Sequence, residues 1–188
     1  MAANDSQNST RTPRAACNDP LTPAAISARL EEEVSRASRH RTPLSCLLLK
    51  LDEIDQLASA HGESMPAEAL AYLAEALGRQ LRSFDRVGHA ADGELLVLLP
   101  GADEQRGEIV ARRTLSRLHS IKIETAGQRR PLRVSMGIAA WREGLSGEEL
   151  LSHTRLAAQH QGQSEHSASA FSAGPGVGAT QTRPLGPS

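Results

Sequence analysis

The sequence predicts a single α/β (α+β) domain in which helices pack on a ferredoxin-like mixed sheet. Three observations lead there. Segments with apolar residues three or four apart interleave with short apolar runs, so helices and strands alternate along the chain. Residues 44–51 are apolar almost throughout, as in a strand buried on both faces. Two further strand-like runs flank Asp92-Gly93, a strong signal for a tight hairpin, and the hairpin falls between two helical segments.

Thr22-Pro23 reads as an N-cap followed by a proline of the first turn. The helix it opens keeps Ile26, Leu30 and Val34 on one face and stops at the stretch Arg39-His40-Arg41-Thr42-Pro43. The strand over 44–51 follows. A helix is predicted over 66–82, with Leu70, Leu73, Ala74, Leu77 and Leu81 inward. Strands over 86–90 and 94–99 enclose the Asp92-Gly93 turn, where both residues tolerate positive φ. A helix is expected over 103–119, then strands over 121–125 and 132–140 separated by the turn-like Gly127-Gln128. Ser146 starts a last helix with Leu150, Leu151 and Leu156 inward. The predicted core includes Leu47, Leu49, Leu70, Leu77, Leu96, Leu98 and Val134.

A length of 188 residues fits one domain with tails. Residues 1–18 and 163–188 are dominated by small, polar, Gly and Pro residues, and both are expected to be disordered around a folded part over 19–162. Aromatic residues make up 2% of the chain, so Leu, Ala, Val and Ile must build the core. The net charge of -1 gives no electrostatic reason to expect nucleic acid or an acidic membrane surface. Cys17 and Cys46 form no disulfide framework or metal spacing. The seven histidines show no ligand pattern beyond His153 and His160, seven apart, and Arg129, Arg130 and Arg133 read as a solvated turn. No signal peptide or membrane span is visible, so a cytoplasmic location is expected.

Several partial motifs, in order, resemble the diguanylate-cyclase (GGDEF) family and its nucleotide cyclase-like fold. Asp19-Pro20-Leu21-Thr22 is similar to the opening of those domains, and the run from Leu47 to Asp52 to their first strand. Ala60-His61-Gly62-Glu63 falls where the family has a Gly-His pair, and Arg82-Ser83-Phe84-Asp85 resembles its Arg-x-x-Asp element. Ala91-Asp92-Gly93-Glu94-Leu95 stands at the signature itself, and Val134-Ser135-Met136-Gly137-Ile138-Ala139 is similar to its late Ser-x-Gly-x-Ala strand. The resemblance covers about residues 19–162.

By that resemblance, a first metal-binding aspartate falls on Lys50, so a ligand of charge −1 becomes a cation that repels Mg²⁺. The signature glycines fall on Ala91 and Asp92, the acid before Glu94 on Gly93, and the guanine-gripping Asn and Asp on Ala58 and Ala67. The late Ala-Asp and Tyr positions fall on Thr154, Arg155 and Gln159. Glu94 alone keeps its identity, and a salt bridge from Lys50 to Glu94 across adjacent strands is expected to replace the metal. No catalytic residue, metal or cofactor is therefore expected, and the chain is expected not to be an enzyme. The retained Arg82 and Asp85, five residues before the signature, imply with Arg113 an inhibitory-type cyclic di-GMP site, since an arginine fork matches a guanine edge or phosphate. The function implied is a cyclic di-GMP receptor or regulatory adaptor acting through an unknown partner protein. A purely protein-binding module and a residual cyclase or other nucleotide-acting enzyme are the alternatives. A second copy of the chain is a further candidate partner; nucleic acid and membrane are not expected.

Overall fold

The structure, a computed structural model, describes residues 19–52, 54–118, 122–125 and 128–163. Helix α1 (Pro23–His40) begins where Thr22 accepts a hydrogen bond from the Ala25 N–H at 3.3 Å, and it ends on Arg41 in the left-handed region at φ 49°. Strand β1 (Leu44–Leu51) leads into two helices, α2 (Ile54–His61) and α3 (Met65–Gly78). Strands β2 (Arg86–Ala91) and β3 (Glu94–Pro100) form the hairpin, and α4 (Glu104–Leu118) follows. A small ribbon, β4 (Lys122–Thr125) with β5 (Gln128–Pro131), precedes β6 (Val134–Ala140) and α5 (Gly147–Gln163).

The sheet order β2-β3-β1-β6 is that of a split β-α-β unit, so the ferredoxin-like class holds. The four strands pair antiparallel; the one parallel element among the described residues is a bridge from Leu21 to Gly88 at the β2 edge. Strand alternation divides β1 between two cores. Leu47, Leu49 and Leu51 join the core under α2, α3 and α4, whereas Leu44, Cys46 and Leu48 join that under α1 and α5. Each fully buried leucine contributes roughly 1.5–3 kcal/mol, and β1 supplies five of them. Burial also pushes the Cys46 thiol far above its ordinary pKa, so this cysteine acts as a small apolar residue.

Six of the seven predicted core residues are buried, and Val134 packs on the core partly exposed. Five readings change. The helix expected over 66–82 stops at Gly78, whose cost in a helix favours the turn that follows. Helix α2 and strand β5 were not expected. Leu156 is 52% exposed, because Thr154 and Ala158 take the inner face of α5. In the hairpin only Gly93 has positive φ, at 73°. Cys17 and the tails 1–18 and 164–188 lie outside the described residues. No helix among those described is long and apolar enough to cross a membrane.

Candidate functional site

The residues at the signature-like hairpin gather at one end of the sheet, on the α5 side. Lys50, near the end of β1, stands in register with Glu94 of β3 on one flank and Ser135 of β6 on the other. The expected Lys50–Glu94 salt bridge does not form. Arg155 reaches Glu94 from α5 instead, with Nε at 3.0 Å and Nη2 at 2.9 Å from the same carboxylate oxygen. Glu94 is only 12% exposed, so a planar fork already held by α5 outcompetes a solvated ammonium on the strand end. Asp52, two residues beyond Lys50, is engaged by the Ser135 hydroxyl, 2.9 Å from both carboxylate oxygens. Sequence reasoning missed the roles of Asp52, Ser135 and Arg155.

Gly93 docks the hairpin tip onto β1. Its carbonyl accepts the Leu51 N–H at 2.8 Å, and a Cβ there would lie 2.1 Å from Cδ1 of Ile54. Ala91 and Asp92 are exposed at the tip. Ala58 is half-buried on α2 and Ala67 exposed on α3, and neither methyl can hydrogen-bond a base. This donor set does not fit the divalent cation that the resemblance implies. Glu94 is neutralised by Arg155, Lys50 adds a positive charge in register, and no group of three or more His, Cys, Asp or Glu among the described residues comes together to hold a metal.

The second candidate surface lies between α3 and β2. Asp85 turns inward rather than toward a ligand: it is 8% exposed, and its carboxylate accepts the Arg82 N–H at 2.8 Å while its own N–H donates to the Arg82 carbonyl. This closes a four-residue turn, an arrangement the short polar side chain of Asp favours. Burial raises the Asp85 pKa, against the lowering effects of the Arg82 N–H and the Arg82 and Arg86 charges. Arg86 braces the turn by donating to the carbonyls of Ser83 and Asp85 at 2.7 and 2.8 Å. Arg82 itself is exposed, its guanidinium 5.7 Å from the ring centroid of Phe84, which is also exposed. Arg113 is exposed on α4.

A family model described as "Diguanylate cyclase, GGDEF domain" matches residues 20–167. The chain is 28% identical over 137 residues to the diguanylate cyclase DgcP of Pseudomonas aeruginosa, covering 71% of this chain and 20% of DgcP. It therefore spans about a fifth of the length of that curated relative. Among solved structures it resembles the diguanylate cyclase SiaD of Pseudomonas aeruginosa in complex with its activator SiaC. The TM-score is 0.72 at 21% identity, over 82% of this chain and 59% of that one. It also resembles the GGDEF domain of DgcB from Caulobacter crescentus in complex with c-di-GMP, with a TM-score of 0.71 at 14% identity, over 79% and 86% of the two chains. These findings correct the expectation that the chain is not an enzyme. The family model is that of a cyclase, and the relative matched in sequence is named for that activity.

Proposed function

Because the chain belongs to the GGDEF family of diguanylate cyclases, we propose that it is a cytoplasmic signalling module that binds cyclic di-GMP at Arg82 and passes the signal to a partner protein. The folded unit of this module is residues 19–162, with the two tails outside it. One observation carries the reading. Arg82 presents an exposed guanidinium on a turn locked by the buried Asp85, at the family spacing before the hairpin. A fork held in this way loses less freedom when it grips a guanine edge or a phosphate. Asp85 acts here as a positioning residue, because its carboxylate is already engaged within the turn. Phe84 adds an aromatic face beside Arg82, and Arg113 adds a second cation on the helix layer. Structures of relatives with c-di-GMP and with an activator protein support both halves of the reading.

Calorimetric titration with cyclic di-GMP tests it. A charge-assisted contact contributes roughly 1.5–3 kcal/mol, so Arg82→Ala should weaken binding about tenfold to a hundredfold. Asp85→Ala should weaken it as well, by loosening the turn. Wild-type protein that shows no binding at high micromolar nucleotide, or variants that bind as tightly as wild type, would remove the nucleotide from the function.

A further inference from the structure

Charges of both signs gather at the hairpin end of the sheet: Lys50 and Arg155 against Asp52 and Glu94. Strand register puts Lys50, Glu94 and Ser135 on one face, the face that α5 covers. Both carboxylates are already engaged. Glu94 takes two Arg155 nitrogens on one oxygen, and Asp52 accepts the Ser135 hydroxyl. Lys50 stays exposed and pairs with neither carboxylate among the described residues. The packing of α5 delivers Arg155 to this place. The preceding residue, Thr154, is fully buried, its hydroxyl donates to the Leu150 carbonyl at 2.7 Å, and Gly137 of β6 lets the helix backbone come close. A guanidinium carried on a helix fixed in this way loses little freedom on pairing with Glu94.

We infer that Arg155 is a built-in cation that holds, on Glu94, the place where the family resemblance implies a divalent ion. With Lys50 it closes this end of the sheet to Mg²⁺ and Mn²⁺. A divalent ion arriving at Glu94 would have to strip the guanidinium from a carboxylate that is only 12% exposed. It would then stand beside two positive charges, in a setting where screening by water is weak. Mg²⁺ sheds its water reluctantly and needs one or two carboxylates in compensation, and neither carboxylate here is free. The link between α5 and the hairpin is thereby independent of dissolved metal. The same geometry contains a latent cation site. Removing the Arg155 guanidinium frees Glu94, and a carboxylate in place of the Lys50 ammonium would stand in register beside it.

The test is titration of the full chain with Mn²⁺, read as loss of the free-ion signal in electron paramagnetic resonance. No nucleotide is added, so the result is separate from cyclic di-GMP binding. Wild-type protein should leave the signal unchanged up to about 1 mM Mn²⁺, and a chelator should not move its melting temperature. The double variant Lys50→Asp with Arg155→Ala should take up a single Mn²⁺ with a dissociation constant on the order of 100 µM. At ten times that concentration the ion should raise the melting temperature of the double variant by about 4 °C. Adding Glu94→Gln to the double variant should abolish uptake, which places the ion on Glu94. Wild-type protein that takes up Mn²⁺, and loses it on Glu94→Gln, would overturn the inference whether or not the double variant folds. A double variant that keeps the wild-type circular dichroism yet takes up no Mn²⁺ would overturn it as well, because the two cations would then not be what excludes the ion.

Discussion

Gly137 is the position where one methyl group should do most damage. It lies on β6 directly under α5, and a Cβ built there would stand 2.2 Å from the Thr154 carbonyl oxygen, 2.3 Å from the Ala158 nitrogen and 2.9 Å from the Ala158 Cα. All three are helix backbone atoms, so no rotamer change relieves the overlap. Ordinary contact requires α5 to lift by about 1 Å, which strips packing from the buried Leu150 and Ala158. Overpacking of this kind costs roughly 1–3 kcal/mol, and backbone obstruction places Gly137→Ala at the upper end. Alanine recovers about 0.5–1 kcal/mol through its lower backbone entropy, leaving a net loss of about 2 kcal/mol. For a domain of this size that lowers the melting temperature by about 6–8 °C. Thermal unfolding followed by circular dichroism and by the single tryptophan, Trp141, just past the end of β6, measures it. A melting temperature within about 2 °C of wild type would show that α5 does not sit on β6 as described.

Three further outcomes follow from the ion pairs and caps. Arg155→Ala leaves Glu94 nearly buried and unpaired and should cost about 1–2 kcal/mol, with Glu94→Gln added to it recovering part of the loss in a double-mutant cycle. Asp85 has its pKa raised by burial, so its ionisation weakens the fold as pH rises through the window between the ordinary carboxylate value and the raised one. Asp85→Asn keeps an acceptor for the Arg82 N–H and should remove that part of the pH profile, leaving stability at neutral pH equal to or above wild type. Glu149 is the opposite case. The Ser146 N–H and hydroxyl lower its pKa, so its contribution is present above the ordinary carboxylate range and is lost as pH falls through the lowered value. Glu149→Gln should flatten the acid limb of the stability profile, measured by melts across pH.

Local signals explain why most of the fold was legible. The β1 run, the α1 periodicity and the Asp92-Gly93 turn each depend on residues close in sequence, and each appears where expected. Helix α2 was not read because its inner face reduces to Leu57, one buried residue in eight. The inward seam of α1 also holds a carboxylate that no periodicity argument selects: Glu33, 2% exposed, is held there by Arg29 at 2.6 Å one turn away. At the site, strand register placed Lys50 opposite Glu94, yet the partner of Glu94 is 61 residues away on α5. A contact of that range depends on how α5 crosses the sheet, and the close approach at Gly137 sets that crossing. Asp85 shows the same limit, since spacing identified the residue but not that its carboxylate turns inward to close its own turn.

The most direct test of the proposed function is amide hydrogen exchange of the full chain with and without saturating cyclic di-GMP. The nucleotide should slow exchange in the turn from Arg82 to Val87 and around Arg113, and leave the hairpin tip at Ala91 to Glu94 and the end of β1 at Lys50 unchanged. Protection confined to the hairpin tip and Lys50, or no protection anywhere, would contradict a cyclic di-GMP site built on Arg82.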